Sequence, residues 1–160
     1  MSFIVKNTYS NFVHNVDTSF TQETISTSLE FYPGTEVTYT PQSGASKVIY
    51  ECGFQASWRP DSRGSYGSTR LQYSTDNGSS WTTIDSTRIF EGNFGNTYDY
   101  VWHQFHWKFV LDPWSGERKL RLAGRAAYST SEYTVGESYN VSPAQSGAGS
   151  CPHVTIYSLN

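Results

Sequence analysis

Clustered basic residues, long apolar runs and a cysteine framework are all missing from this chain, and each absence removes a class of function. Its eleven Lys and Arg are outnumbered by fourteen Asp and Glu, with the signs interspersed and a formal charge of −3. A surface that tracks phosphates needs grouped cations, so no nucleic-acid partner is expected. No apolar stretch approaches the ~20 residues that cross a bilayer, and Phe3-Ile4-Val5 before Lys6 is too short for a signal-peptide core. No membrane partner is expected, and synthesis in a cytoplasm is. Cys52 and Cys151 are too few and too far apart for a disulfide framework or a zinc knuckle. Cys52 alternates with Val48, Tyr50 and Phe54, which suits a small buried hydrophobe; a disulfide with Cys151 is the alternative.

The signatures of catalysis are also absent. There is no Gly-x-Ser-x-Gly elbow and no Cys in a comparable setting, and Ser146-Gly147-Ala148-Gly149-Ser150 reads as a flexible loop. The carboxylates are scattered like solvated charges, and no pair suited to glycoside hydrolysis stands out. His103 and His106 would share a face on a helix, but on a strand a spacing of three sends them to opposite faces. His14 and His153 have no acidic cluster nearby. The expectation is no enzyme activity, no metal and no cofactor.

What the chain does have is aromatic residues: twelve Tyr, nine Phe and five Trp, in a background of Ser, Thr and Gly with little Leu or Ala. That bias favours strands and turns. Period-two alternation is clear in three runs. Val48, Tyr50, Cys52 and Phe54 share one face of a strand over Lys47 to Trp58, with Ile49, Glu51, Gly53 and Gln55 on the other. In Tyr98 to Leu111 the odd positions, including Phe105 and Trp107, form the core side. Leu120 and Leu122 line up in the next strand, whose Arg118, Lys119, Arg121 and Arg125 are expected to make a basic solvent-facing edge. Val37-Thr38-Tyr39 is a further strand, Arg59 to Ser68 a polar loop, Thr69 to Ser74 the start of another strand, and Tyr128 to Ser150 a pair of loops. No 3.6-residue period lasts three turns. An all-β antiparallel β-sandwich follows, with Val48, Tyr50, Cys52, Phe54, Phe105, Trp107 and Leu122 buried. A chain of 160 residues suits one domain, which at that size hides roughly 70% of its unfolded surface.

Ser74-Thr75-Asp76-Asn77-Gly78-Ser79-Ser80-Trp81 matches the Asp-box pattern Ser-x-Asp-x-Gly-x-x-Trp, which resembles turns of sialidases and other secreted β proteins. A single copy reads as a structural hairpin turn. Asp76 would accept from backbone N–H groups, Asn77-Gly78 would take positive φ, and Trp81 would pack back on the turn. Trp58, Tyr66 and Trp114 stand beside loop signals, where they either cap the core or stack on sugar rings; capping is the reading preferred for Trp114.

Three short motifs carry a family resemblance. Thr40-Pro41 leads through small residues to Ser46-Lys47-Val48-Ile49-Tyr50; Leu111-Asp112-Pro113 precedes a strand; and the chain stops on Val154-Thr155-Ile156-Tyr157-Ser158-Leu159. The set resembles the jelly-roll domains of bacteriophage virion proteins, whose broad architecture is shared by C1q and tumour necrosis factor heads. The resemblance covers roughly residues 37 to 160 and implies a jelly roll with an extended N-terminal arm: residues 1–36 as arm and first strand, 37–160 as the jelly-roll domain. It implies a virion structural protein, on the virion surface after synthesis in a host cytoplasm. The first expectation is a capsid decoration (cement) protein whose arm, through Phe3, Ile4, Val5, Phe12 and Val13, clamps a neighbour such as the major capsid protein. The alternatives are a receptor-binding head on a tail fibre or appendage, meeting a host glycan through Trp58, Tyr66 and Trp114, and a free carbohydrate-binding module. The aromatics are more than one core can enclose, so some must be covered by partners, and the resemblance implies a homotrimer.

Overall fold

Aromatic and β-branched residues at alternate positions can bury one side of a strand only against a second layer, and this chain builds two layers from itself. The computed structural model describes residues 9–16, 23–59, 65–93, 101–126, 132–135 and 152–160. Within them the strands are β1 Tyr9–Val16, β2 Glu23–Ile25, β3 Glu30–Phe31, β4 Val37–Tyr39, β5 Lys47–Arg59, β6 Ser65–Ser74, β7 Thr82–Thr83, β8 Ile89–Asn93, β9 Val101–Leu111, β10 Arg118–Ala126, β11 Glu132–Val135 and β12 His153–Leu159. One short 3-10 turn, Asp85–Thr87, is the only helical element among the described residues.

All pairings are antiparallel, and several strands lie end to end as halves of one line. In the first sheet β9 covers one edge of β5 from Val48 to Trp58. The other edge is shared by β12, opposite Lys47 to Gly53, and β11, opposite Ala56 to Arg59. Outside these, β1 pairs β12 and β2 pairs β11. In the second sheet β10 and β6 form the middle, with β3 and β4 sharing the far edge of β10 and β7 and β8 the far edge of β6. Each sheet is thus four lines wide, and the chain crosses repeatedly from one to the other. That is a jelly roll.

The core lies between the layers. Val48, Tyr50, Cys52, Phe54 and Ala56 of β5 face Leu120, Leu122 and Ala126 of β10, with Leu71, Val154, Ile156 and Tyr32 filling the space, all at most 2% exposed. Phe105 and Trp107 project the same way but are only half-buried, because β9 has a strand on one side alone among the described residues. Ile49, on the outward side of β5, is nonetheless buried at 3%.

The expected boundary at residue 36 does not divide arm from domain. β1, β2 and β3 are integral strands of both sheets, Ile25 is 1% exposed, and Val13 packs on the core. The segment is poor in apolar residues because edge strands bury one face only. Phe12 points outward at 64% exposure, and Phe3, Ile4 and Val5 lie outside the described residues. β6 starts at Ser65, four residues earlier than its polarity suggests, and pairs β8 and β10 there. Arg118 does not join a solvent-facing edge: it falls on the Leu120 and Leu122 side of β10 and enters the gap between the sheets. Cys52 is buried, and Cys151 lies outside the described residues.

A buried polar stitch crosses the core. The Tyr50 hydroxyl donates to the Thr35 carbonyl at 2.5 Å, the Thr35 hydroxyl donates to the Tyr32 carbonyl at 2.6 Å and accepts from the Leu122 N–H, and the Tyr32 hydroxyl meets Thr69 Oγ1 at 2.5 Å. Tyr32 lies over Gly124, where a Cβ would overlap its ring and hydroxyl. Because Tyr32 is fully buried it cannot yield. Gly124→Ala is expected to destabilise by about 1–3 kcal/mol through overpacking, and Tyr50→Phe by about 1–3 kcal/mol by unpairing a buried carbonyl. Denaturant unfolding of both variants checks this; wild-type midpoints for either would refute the stitch.

Candidate functional site

A pocket opens between the sheets at the end where β5 begins and β9 ends. Its volume is about 380 Å³. Lys47, Leu111 and Asp112 reach it from the first sheet, Tyr73 and Arg118 from the second, and Trp114 closes it from the connection after β9. Leu111-Asp112-Pro113 ends β9, since proline cannot continue the ladder, and turns the indole back over the core.

Arg118 lines the pocket between two aromatic rings. Its guanidinium carbon lies 4.4 Å from the Tyr73 ring centroid and 5.1 Å from that of Trp114, and Trp114 in turn meets Tyr39 edge-on at 6.2 Å. Stacking on both rings holds the cation at a partly buried position, an interaction worth about 0.5–2 kcal/mol per ring. The acid on the same wall, Asp112, is paired with Lys47 at 2.5 Å, and that hydrogen bond holds its carboxyl below the usual carboxylate range. The Nε–H of Arg118 and the indole Nε1–H of Trp114 are buried with no hydrogen-bond partner. Buried polar groups are nearly always paired, so two such donors side by side behind the pocket are unusual.

The sugar-stacking trio does not assemble. Trp58 and Tyr66 sit on β5 and β6 at the opposite end of the sandwich, and the eleven residue steps of β5 from Lys47 to Trp58 amount to roughly 37 Å. Trp114 caps the core, as its sequence setting suggests, while also walling the pocket. Sequence reading missed Arg118 and Tyr73 as its companions. The signal was present in the inward register of Arg118 with Leu120 and Leu122.

A second feature is the outward face of the first sheet. A bulge in β1 between Ser10 and Val13, with Asn11 at φ 50°, turns Phe12 outward, where it stacks on Tyr157 and His14 at 6.3 and 6.5 Å. Phe12, Val16 and Val110 are 64%, 50% and 59% exposed on this face. Between them Lys108 contacts Glu51 at 2.7 Å, and Tyr157 donates to Glu51 at 3.1 Å. The Lys108 hydrogen bond lowers the Glu51 carboxyl, and the same bond raises the Lys108 ammonium. His153 lies over Gly53, its ring 6.2 Å from His14 and 6.1 Å from His106. Among the described residues no group of three or more His, Cys, Asp and Glu side chains is arranged to hold a metal ion.

Two further cations of β10 also stack or pair. Arg121 lies 3.8 Å over Trp81 and 5.2 Å over Phe31, and Lys119 pairs Glu36 at 3.0 Å. Trp81 belongs to the Asp-box turn, which has the geometry its sequence implies. Asp76 accepts from the Ser80 N–H at 2.9 Å and from the Ser74 and Ser80 hydroxyls, Asn77 and Gly78 have φ of 58° and 91°, and the Trp81 indole donates to the Gly78 carbonyl at 3.1 Å.

No family model and no curated protein matches the chain. Among solved structures it is similar to Eiger TNF from S. frugiperda, with 10% sequence identity, a TM-score of 0.39 and 93% of each chain covered.

The Ser74 and Ser80 hydrogen bonds lower the Asp76 carboxyl to about 2. A carboxyl depressed below its unfolded value of about 3.9 stabilises the fold above that value, and the contribution is lost as pH falls through about 2. The thermal midpoint of the wild-type chain should therefore drop more steeply between pH 4 and pH 2 than that of Asp76→Ala. Parallel profiles would show that the turn does not depend on this charge.

Proposed function

We propose that this chain is a bacteriophage virion structural protein, a capsid decoration protein that associates with its own copies through the outward face of its first sheet. The observation carrying the reading is that Phe12, Val16 and Val110 stand exposed on one face while the opposite side of the same sheet is the core. Exposed apolar groups on a flat strand face, rimmed by polar residues, are the usual mark of an interface. The Thr40-Pro41 to Tyr50, Leu111-Asp112-Pro113 and Val154 to Leu159 motifs support the virion assignment. The partners in this reading are sister copies, as a homotrimer, and a major capsid protein beneath them. Three copies acting together would hold an icosahedral surface through high effective concentration even where each contact is weak.

A second reading, the receptor-binding head of a tail appendage, is favoured by one specific observation: the pocket holding Trp114 and Arg118 has the size and aromatic wall of a small-ligand site.

Sedimentation equilibrium tests the self-association. A mass near three times the 18.0 kDa chain is expected, and Phe12→Asp with Val110→Asp should weaken association by at least about tenfold, placing charge in a desolvated contact. A wild-type mass of one chain at micromolar concentration would refute it. Labelling on intact particles separates the two readings: an icosahedral distribution supports decoration, and a signal confined to the tail supports the appendage head.

A further inference from the structure

The pocket between the sheets carries more chemistry than a core cap needs. A cap has only to exclude water, and Leu111 and Leu120 with Trp114 already supply the apolar groups for that. Yet a guanidinium is placed among them, its faces taken by Tyr73 and Trp114, and the acid nearest it on the wall is neutralised by Lys47. Among the described residues this leaves the pocket with an excess of one positive charge. An arginine stacked on aromatic rings keeps its in-plane N–H groups for an acceptor, and a carboxylate matches that fork with two parallel hydrogen bonds. The Arg118 Nε–H and Trp114 Nε1–H are themselves buried, so the groups left to meet a ligand in the pocket are the terminal N–H groups of the guanidinium.

From these features we propose that the pocket binds a carboxylate-bearing sugar, with the acid group on Arg118 and the ring against the Trp114 indole. This rests on the second reading above, in which the same pocket is the ligand site of a receptor-binding head that meets a host glycan, and names the ligand class. An aromatic wall suits the C–H face of a pyranose. The Lys47–Asp112 pair and the Ser86 hydroxyl at the pocket offer a donor and acceptor set for ring hydroxyls. A cavity of about 380 Å³ falls at the small end of ligand pockets, which suits a single residue of a glycan better than an extended chain.

The test follows the indole Nε1–H resonances of the intact chain by NMR during titration with sodium glucuronate, glucose and N-acetylglycine. Trp114→Phe identifies the Trp114 resonance. Glucuronate should shift that resonance and saturate it, while glucose and N-acetylglycine should not. Arg118→Gln should weaken glucuronate binding at least tenfold, and Trp114→Phe, which keeps a ring but removes the N–H, should weaken it less. If Arg118→Gln does not fold, Arg118→Lys, which keeps the charge but loses the fork, should still show several-fold weaker binding. Equal binding of glucose and glucuronate would overturn the carboxylate assignment and leave the glycan reading standing. Binding of N-acetylglycine as tight as glucuronate would overturn the sugar assignment in favour of a peptide carboxylate. If no probe moves the Trp114 resonance, the inference fails outright; the glycan reading then fails with it only if the protein also shows no binding to host cell-surface polysaccharide.

Discussion

The hydrogen bond from Tyr50 to the Thr35 carbonyl ties the two layers of this sandwich to each other. Tyr50 belongs to the central strand of one sheet, and Thr35 to the turn that joins β3 and β4 at the edge of the other. Placing a hydroxyl in the middle of an apolar core is unfavourable unless it is satisfied, and only one position of the Tyr32 to Thr35 turn satisfies it. The same turn presents its threonine hydroxyl to the backbone of Leu122 and sets the Tyr32 ring edge-on against Phe54, 5.3 Å away. Sliding one sheet over the other by a single residue would break the Tyr50–Thr35 bond and the Tyr32–Phe54 contact together, while the Thr35–Leu122 bond, made within the second sheet, holds the turn in place. Apolar packing alone would tolerate several registers; the polar stitch selects one.

The strands that alternate cleanly were legible in the sequence, and so was their sidedness. β5 reads correctly from Val48 to Ala56, where it has neighbours on both edges and every inward position is apolar and buried. β9 has the same alternation but lies at an edge, and its Phe105 and Trp107 are only half covered, a difference that periodicity does not contain. The short strands β2, β3 and β7 carry no signal of their own, since two or three residues cannot show a period; they exist because β10, β11 and β6 offer them open edges. The segment before residue 36 misleads for the same reason: an edge strand may be as polar as an arm.

The candidate site was half legible. Trp114 could be picked out from its place after Leu111-Asp112-Pro113, but its grouping with Trp58 and Tyr66 relied on composition, and the fold puts a full sheet length between them. Arg118 was hidden by its neighbours. Next to Lys119 and Arg121 it looks like one cation of a solvated row, and only its parity with Leu120 shows that it turns inward. The second sheet repeats the device at its outer surface, where Arg121 rests on Trp81 and Phe31. In this chain arginine works largely as a flat cation laid on aromatic rings.

The line formed by β11 and β12 alongside β5 is built in two pieces, each with its own register against the central strand. Neither piece depends on the other for its alignment: Val135 is fixed by Ala56, and His153 by Gly53. The outer line behaves likewise, with Val16 set against His153 and Glu23 against Val135. The two joints lie at the same level of the sheet, so a change confined to one half of either line leaves the ladder of the other half in place, much as one panel of a hem can be let out without recutting the next.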